Sequence, residues 1–257
     1  MPELRDRTVL VTGASSGIGE ACARVFAGAG CRLLIVARRR QRLLALRDEL
    51  LAAGAPMVRA DALDVRDGNA VERWAAGLAP PFDAVEVLVN NAGLSRGLDP
   101  LQSGSVADWE EMIDTNVKGL LYIDRAIAPG MAARGSGLVV HIGSIAGRQV
   151  YPAGNVYCAT KHAVRALTDG LRLDLLGTGV RVASVDPGLV ETEFSRVRFH
   201  GDEPKARAVY RGMTPLTPRD VAEVVFFAAT RPPHVNLAEC LLLPTDQASA
   251  LHVHRES

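Results

Sequence analysis

Short apolar runs alternate with longer segments of helical period along most of the chain. Thr8-Val9-Leu10-Val11 predicts a buried strand, and residues 17–29 predict the helix that follows it. Residues 32–37 form the next apolar run, and Leu43, Leu46 and Leu50 recur at helical spacing within 40–51. A strand is expected near 57–64, a helix through Val71, Trp74 and Leu78, and a strand over 85–89. Residues 105–134 predict one long helix, with Trp109, Met112, Ile113 and Val117 apolar. A strand over 138–142, a helix over 156–176 and a strand over 180–185 come next. A helix over 218–230 and a short strand over 241–243 close the pattern.

Continuous rather than alternating apolar strands imply burial on both faces, and strands interleaved with helices imply βαβ units in a parallel sheet. The expected architecture is one α/β domain over 1–257, doubly wound and Rossmann-type, with about seven strands flanked by helices. Only residues 189–217 break the alternation. That segment follows the sixth strand, where such folds place loops that cover a substrate, so a lid is expected there.

Lys+Arg and Asp+Glu both total 29, for a formal net charge of +0. A balanced chain lacks the positive field that nucleic acid or an anionic membrane attracts, so the expected partner is a small molecule. Cys22, Cys31, Cys158 and Cys240 form no CxxC pair and no cluster with histidine. Free thiols in a reducing compartment are therefore expected, with no metal site. Residues 1–7 are polar and no apolar run is long enough to span a bilayer, which makes the cytoplasm the expected location.

The first strand runs into Thr12-Gly13-Ala14-Ser15-Ser16-Gly17-Ile18-Gly19 and then a helix. Glycines there permit a sharp turn and let a pyrophosphate approach the helix N-terminus, where N–H groups and the dipole favour negative charge. At the end of the second strand a site for NAD usually carries an acidic residue for the ribose 2′-hydroxyl. This chain instead has Ala37-Arg38-Arg39-Arg40. Cations at a helix start oppose the dipole, which suggests an external anion. Arg38 and Arg39 are the candidates for a 2′-phosphate, and NADP is preferred over NAD.

Tyr157 and Lys161 are four residues apart in a helical segment, on one face. A free tyrosine has a pKa of about 10, and a cation within ~4–6 Å lowers an acid's pKa by roughly 1–3 units. Lys161 is expected to do this for Tyr157, making the phenol a proton donor or acceptor beside a nicotinamide. Only Lys118, Lys161 and Lys205 among the 29 basic residues are lysines, so a lysine at this position is not a default surface choice. Ser144 follows the strand at 138–142 and is placed to donate to a substrate oxygen. Asn116 precedes Val117-Lys118-Gly119 within a helix, a locally unfavourable choice that suggests a bent helix holding a water for proton delivery.

Taken in order, TGASSGIG at 12–19, NNAG at 90–93, Asn116, Ser144, Tyr157/Lys161 and Pro187-Gly188 resemble the short-chain dehydrogenase/reductase family across nearly the whole chain. The resemblance implies a catalytic set of Asn116, Ser144, Tyr157 and Lys161, with Lys161 also on the nicotinamide ribose. It implies cofactor contacts from Gly13, Ser15, Ser16, Gly17, Ile18 and Gly19. It places Asn91 and Asp64, with Val65 beside it, along the adenosine half. It sets Pro187, Gly188, Val190 and Thr192 at the nicotinamide. The stretches at 147–161, 193–202 and 252–255 are similar to the branch of NADP-dependent 3-hydroxy acid dehydrogenases, which includes serine dehydrogenase-like and malonic semialdehyde reductase-like enzymes. Sulfoacetaldehyde reductases lie close by. Members are usually homotetramers paired through helices corresponding to 105–134 and 152–176.

An acid substrate needs a cation near Tyr157. Arg198 in the lid segment is the first candidate, with Arg96 and Arg148 as alternatives. Three readings remain: a 3-hydroxy acid dehydrogenase, a reductase of another carbonyl such as sulfoacetaldehyde, and a dinucleotide-binding sensor without turnover. The Ser144, Tyr157 and Lys161 set argues against the sensor, which needs no proton donor.

Overall fold

A computed structural model describes residues 4–256. The polar N-terminal reading falls partly on residues 1–3, outside the described residues. Seven strands form one sheet: β1 (Thr8–Thr12), β2 (Arg32–Ala37), β3 (Val58–Ala62), β4 (Val87–Asn90), β5 (Gly137–Ile142), β6 (Val180–Pro187) and β7 (Glu239–Leu242). Their order is β3-β2-β1-β4-β5-β6-β7 and every pairing is parallel. Sequence order reverses between β1 and β4, which are in register from Val9↔Val87 to Val11↔Val89. The carboxyl ends on either side of that reversal diverge and leave a crevice.

Strand alternation sorts the core into two layers. Val9 and Val11 face one way with Phe26, Leu33, Ile35 and Val225. Leu10 faces the other way with Leu34, Val36, Ile123, Met131 and Val139. Helices α1 (Gly17–Gly28), α2 (Arg40–Ala52) and α9 (Pro218–Ala229) cover the first face, where Phe26 meets Phe226 edge-on at 5.5 Å. Helices α3 (Gly68–Ala76), α5 (Gly119–Arg134) and α6 (Asn155–Asp174) contribute to the second. The edge strands β3 and β7 are only half-buried, so the expectation of two covered faces holds for the central strands alone. No helix of the described residues is long and apolar enough to cross a membrane.

Local chemistry explains the helix starts. Asp67 caps α3, and Thr217 forms a capping box with Asp220 at α9 with Pro218 in the first turn. The long helix expected over 105–134 is interrupted. Ser105 caps α4 (Val106–Ile113), a π-helical turn follows at Asp114–Lys118, and α5 resumes at Gly119. A Cβ on Gly119 would lie 2.7 Å from Val65 Cγ2, so any larger residue would force Val65 aside. Residues 189–217, expected to hold no strand, carry two short helices instead: α7 (Phe194–Arg198) and α8 (Glu203–Ala208).

A buried polar chain crosses the second layer. Thr12 Oγ1 donates to Asn90 Oδ1 at 3.2 Å, and Asn90 Nδ2 donates to Asp124 Oδ1 at 3.1 Å. His141, with 0% exposure, places Nε2 3.0 Å from Asp124 Oδ2 and Nδ1 2.8 Å from Thr168 Oγ1. Strands β1, β4 and β5 are thereby tied to α5 and α6 through groups that would be costly if left unpaired.

Candidate active site

The strand carboxyl ends open into a cleft of about 440 Å³. Gly13 at φ +66° and Gly17 at φ +59° adopt left-handed backbone, which suits glycine. They shape the turn between β1 and α1, and Ser15, Ser16 and Ile18 line the cleft beside them. Asn91 Nδ2 donates to Thr12 O at 2.9 Å and braces this turn. Gly19 lies behind the cleft wall. A Cβ there would sit 2.6 Å from Gly13 O, so its smallness packs α1 against the turn. Ser16 makes no side-chain capping bond, and the α1 terminus keeps its capacity for an outside anion.

At one end of the cleft, Arg38 and Arg39 meet Asp64 and Val65; Arg40 is exposed and lies outside it. Arg39 Nε donates to Ser15 Oγ at 3.0 Å and Nη2 to Ser16 Oγ at 2.6 Å. Its Nη1 donates to Glu193 Oε2 at 2.8 Å. Arg38 stands 3.6 Å from Glu111. The bidentate hydrogen bonds from Arg66 hold the Asp64 carboxyl below its ordinary range.

At the other end, α6 presents Tyr157 and Lys161 to the cleft. Lys161 is 7% exposed, and its Nζ donates to Ile142 O at 2.9 Å. Burial pushes its ammonium down to about 8, with Asp186 acting in the opposite direction. Burial also lifts the Tyr157 phenol above its ordinary value. The cation that opposes this is Arg198, helped by the Ser144 hydroxyl, rather than the expected Lys161. Ser144 is extended at φ −173°, and its Oγ accepts from Ala146 N at 3.1 Å, opening a 3-10 turn at Ile145–Gly147. A Cβ on Gly143 would overlap Asp186 Oδ1, so the residue before Ser144 must be glycine.

Asn116 does not line the cleft. It sits in the π turn, where Oδ1 accepts from Leu94 N and Nδ2 donates to Leu94 O, each at 2.8 Å. A third bond runs from Nδ2 to Thr160 Oγ1 at 3.1 Å. The side chain is thus engaged with protein and clamps Leu94 to α6, within a helix that is interrupted at this turn. Pro187, Gly188, Val190 and Thr192 line the β6 side of the cleft.

Arg198 lies in the cleft among three aromatic rings, with Cζ 5.2 Å from the Tyr157 centroid and 5.4 Å from that of Phe194. Its Nε donates to Ser95 Oγ at 2.9 Å and its Nη2 to the Tyr151 hydroxyl. The two alternative arginines are elsewhere. Arg96 is spent on Glu111 and Val197 O, and Arg148 on Asp186 and Glu239; neither lines the cleft. Carboxylates claim both guanidiniums, which leaves neither placed as the expected substrate cation.

Several cleft residues escaped the sequence reading: Tyr151, Glu193, Phe194 and Thr115. The π turn brings Thr115 to the cleft, and its buried Oγ1 has no hydrogen-bond partner among the described residues. An unpaired hydroxyl, an open helix terminus and two arginines in one groove fit a ligand rich in hydroxyl and phosphate groups.

A doubly wound sheet whose crevice joins a glycine turn to a serine, tyrosine and lysine cluster defines a dinucleotide-dependent oxidoreductase. The profile described as short chain dehydrogenase matches residues 7–203, and the chain belongs to that family. An NADP-dependent 3-hydroxy acid dehydrogenase of Salmonella typhi is 50% identical over 249 residues, covering 96% of this chain and 99% of the relative. Sulfoacetaldehyde reductase 2 of Chromohalobacter salexigens is 47% identical over 250 residues, covering 96% and 98%. Among solved structures, the closed form of a serine dehydrogenase complexed with NADP+ superposes with a TM-score of 0.91 at 47% identity. That match covers 97% of this chain and 100% of the other.

Proposed function

We propose that the chain is an NADP(H)-dependent dehydrogenase that interconverts a small 3-hydroxy acid and its semialdehyde or ketone. Serine, allo-threonine, 3-hydroxyisobutyrate and 3-hydroxypropionate are the candidate substrates. The observation that carries this reading is Arg198, a cation held over the Tyr157 ring inside the cleft. It suits a carboxylate one or two carbons from the reacting hydroxyl.

NADP(H), when bound, gives or takes the hydride. Gly13, Ser15, Ser16, Gly17 and Ile18 would cradle its pyrophosphate, and Arg38 and Arg39 its 2′-phosphate. Asp64, Val65, Asn91 and Thr115 would lie along the adenosine half, with Pro187, Gly188, Val190 and Thr192 at the nicotinamide. The rest is the work of side chains. Arg198 orients the acid group, and the Ser144 hydroxyl donates to the reacting oxygen. The Tyr157 phenol passes the proton to or from that oxygen, with the Arg198 guanidinium as the cation beside its ring, and Lys161 reaches the ribose. Asn116 holds Leu94 and α6 in place. Residues 189–217, which carry Arg198, act as the lid.

The relatives also support a sulfonate reading, since a guanidinium pairs with a sulfonate as well as with a carboxylate. A homotetramer in the cytoplasm completes the proposal. Ile113, Leu121 and Leu173, exposed on α4, α5 and α6, suit helix pairing between copies. The test is an absorbance assay with NADP+ and NAD+ against the four acids, and with NADPH against sulfoacetaldehyde. Turnover of a 3-hydroxy acid with NADP+ supports the reading, and silence on all four acids removes it.

A further inference from the structure

Arg39 is already bonded to an anion supplied by the chain. Glu193 leads from the end of β6 into α7, on the opposite lip of the cleft from the β2–α2 junction. Its Oε2 accepts from Arg39 Nη1 at 2.8 Å. Its two carboxylate oxygens also accept from Arg42 Nη1 at 2.8 and 2.9 Å. The same Arg39 guanidinium reaches Ser15 and Ser16 with its remaining edge, so it is spread between the glycine turn and the lid segment. Hydrogen bonds from Arg39 and then Arg42 hold the Glu193 carboxyl below its ordinary range, so it is an anion at neutral pH.

We propose that Glu193 is an internal competitor of the cofactor 2′-phosphate for Arg39, and thereby sets how tightly NADP(H) is held relative to NAD(H). The inference rests on the reading of Arg39 as a 2′-phosphate cation. A phosphate delivered to Arg39 meets a carboxylate within hydrogen-bond distance of the same nitrogen. The two like charges repel, and Arg39 Nη1 can satisfy the phosphate fully only as Glu193 yields it. Arg42 gives the carboxylate somewhere to go, since it already makes two bonds to Glu193. Exchange of one anion for the other thus costs little in unpaired charge. It weakens the bound state of NADP(H) and eases its release. NAD(H) lacks the phosphate and leaves the Arg39–Glu193 pair undisturbed. The lip that carries Glu193 is also the one that carries Arg198, five residues further on. Glu193 is therefore a specificity residue for the cofactor, carried on the same segment as Arg198.

The experiment is fluorescence titration of the full-length Glu193→Gln variant with NADPH and NADH at low ionic strength. Glutamine keeps the length and one acceptor but removes the charge. The expected result is an NADPH dissociation constant about two- to fivefold lower than in the parent, as befits a partly exposed ion pair, with the NADH constant unmoved. An unchanged or higher NADPH constant overturns the proposal. In the Arg39→Ala background the Glu193→Gln effect should vanish. If it persists there, the competition does not run through Arg39 and the proposal fails. Arg39→Ala alone separates the premise from the inference. A loss confined to NADPH upholds Arg39 as the phosphate cation, whatever Glu193 does, and an equal loss for both cofactors removes that premise.

Discussion

The guanidinium of Arg198 lies 5.2 Å from the ring centroid of Tyr157, and both residues line the same cleft. An anchor at this distance acts on the acid group and leaves the reacting carbon to Tyr157. Arg198→Ala should raise KM for 3-hydroxy acids about 10- to 100-fold, the worth of a charge-assisted hydrogen bond. A neutral alcohol of the same length should lose far less. Steady-state kinetics on the two substrates check this, and an equal loss on both would remove the anchor role.

Tyr157→Phe removes the phenol hydroxyl while keeping the ring contact with Phe194, whose centroid is 5.5 Å away. Turnover should fall by at least about 100-fold, as for loss of a general acid or base. NADPH binding, followed by fluorescence, should stay close to the parent value. Loss of binding in parallel with turnover would mean that Tyr157 is structural.

Lys161 binds its proton less tightly in the folded chain, near pH 8, than its ordinary value of 10.5. Between those values the unfolded chain holds a proton that the folded chain has released, so stability rises with pH. Below pH 8 the cost of the buried charge is fully present. Lys161→Met should therefore abolish turnover yet stabilise the fold at pH 7, by on the order of 1–3 kcal/mol. The gain should shrink as pH approaches 10. Thermal melts across that range decide the matter, and a variant less stable than the parent at pH 7 contradicts it.

Asn116→Ala leaves the Leu94 N–H and carbonyl without their side-chain partner in a buried setting. The expected destabilisation is about 1–3 kcal/mol. Turnover should drop more than NADPH affinity, because Leu94 lines the cleft and Thr160 is bonded to Tyr157 O. Calorimetry with single-turnover kinetics separates these effects.

The strands and the glycine turn were legible because apolar runs and glycines act within a few residues. Val9, Leu10 and Val11 encode both faces of β1, and Gly13 and Gly17 encode the turn after it. Tyr157 and Lys161 were legible because helical spacing is fixed. Tertiary partners were not. The sequence does not reveal that Ile142 O takes the Lys161 ammonium, or that Asp186 and Glu239 claim Arg148. The π turn was foreshadowed only by an asparagine followed by Val117-Lys118-Gly119, since the signal for an extra residue per turn lies in what packs against it. Glu193 gave no local sign, as its meaning comes from Arg39 and Arg42, more than 150 positions earlier.

The buried chain from Thr12 through Asn90, Asp124 and His141 to Thr168 links the strand that ends in the glycine turn to the helix that bears Tyr157. Opening either side of the sheet exposes a half-satisfied histidine or carboxylate to the other, which neither layer tolerates alone. The dinucleotide half and the proton-transfer half are therefore expected to melt together. On heating they should be lost in a single step, and the slowest-exchanging amides on β1 and on α6 should share one opening free energy.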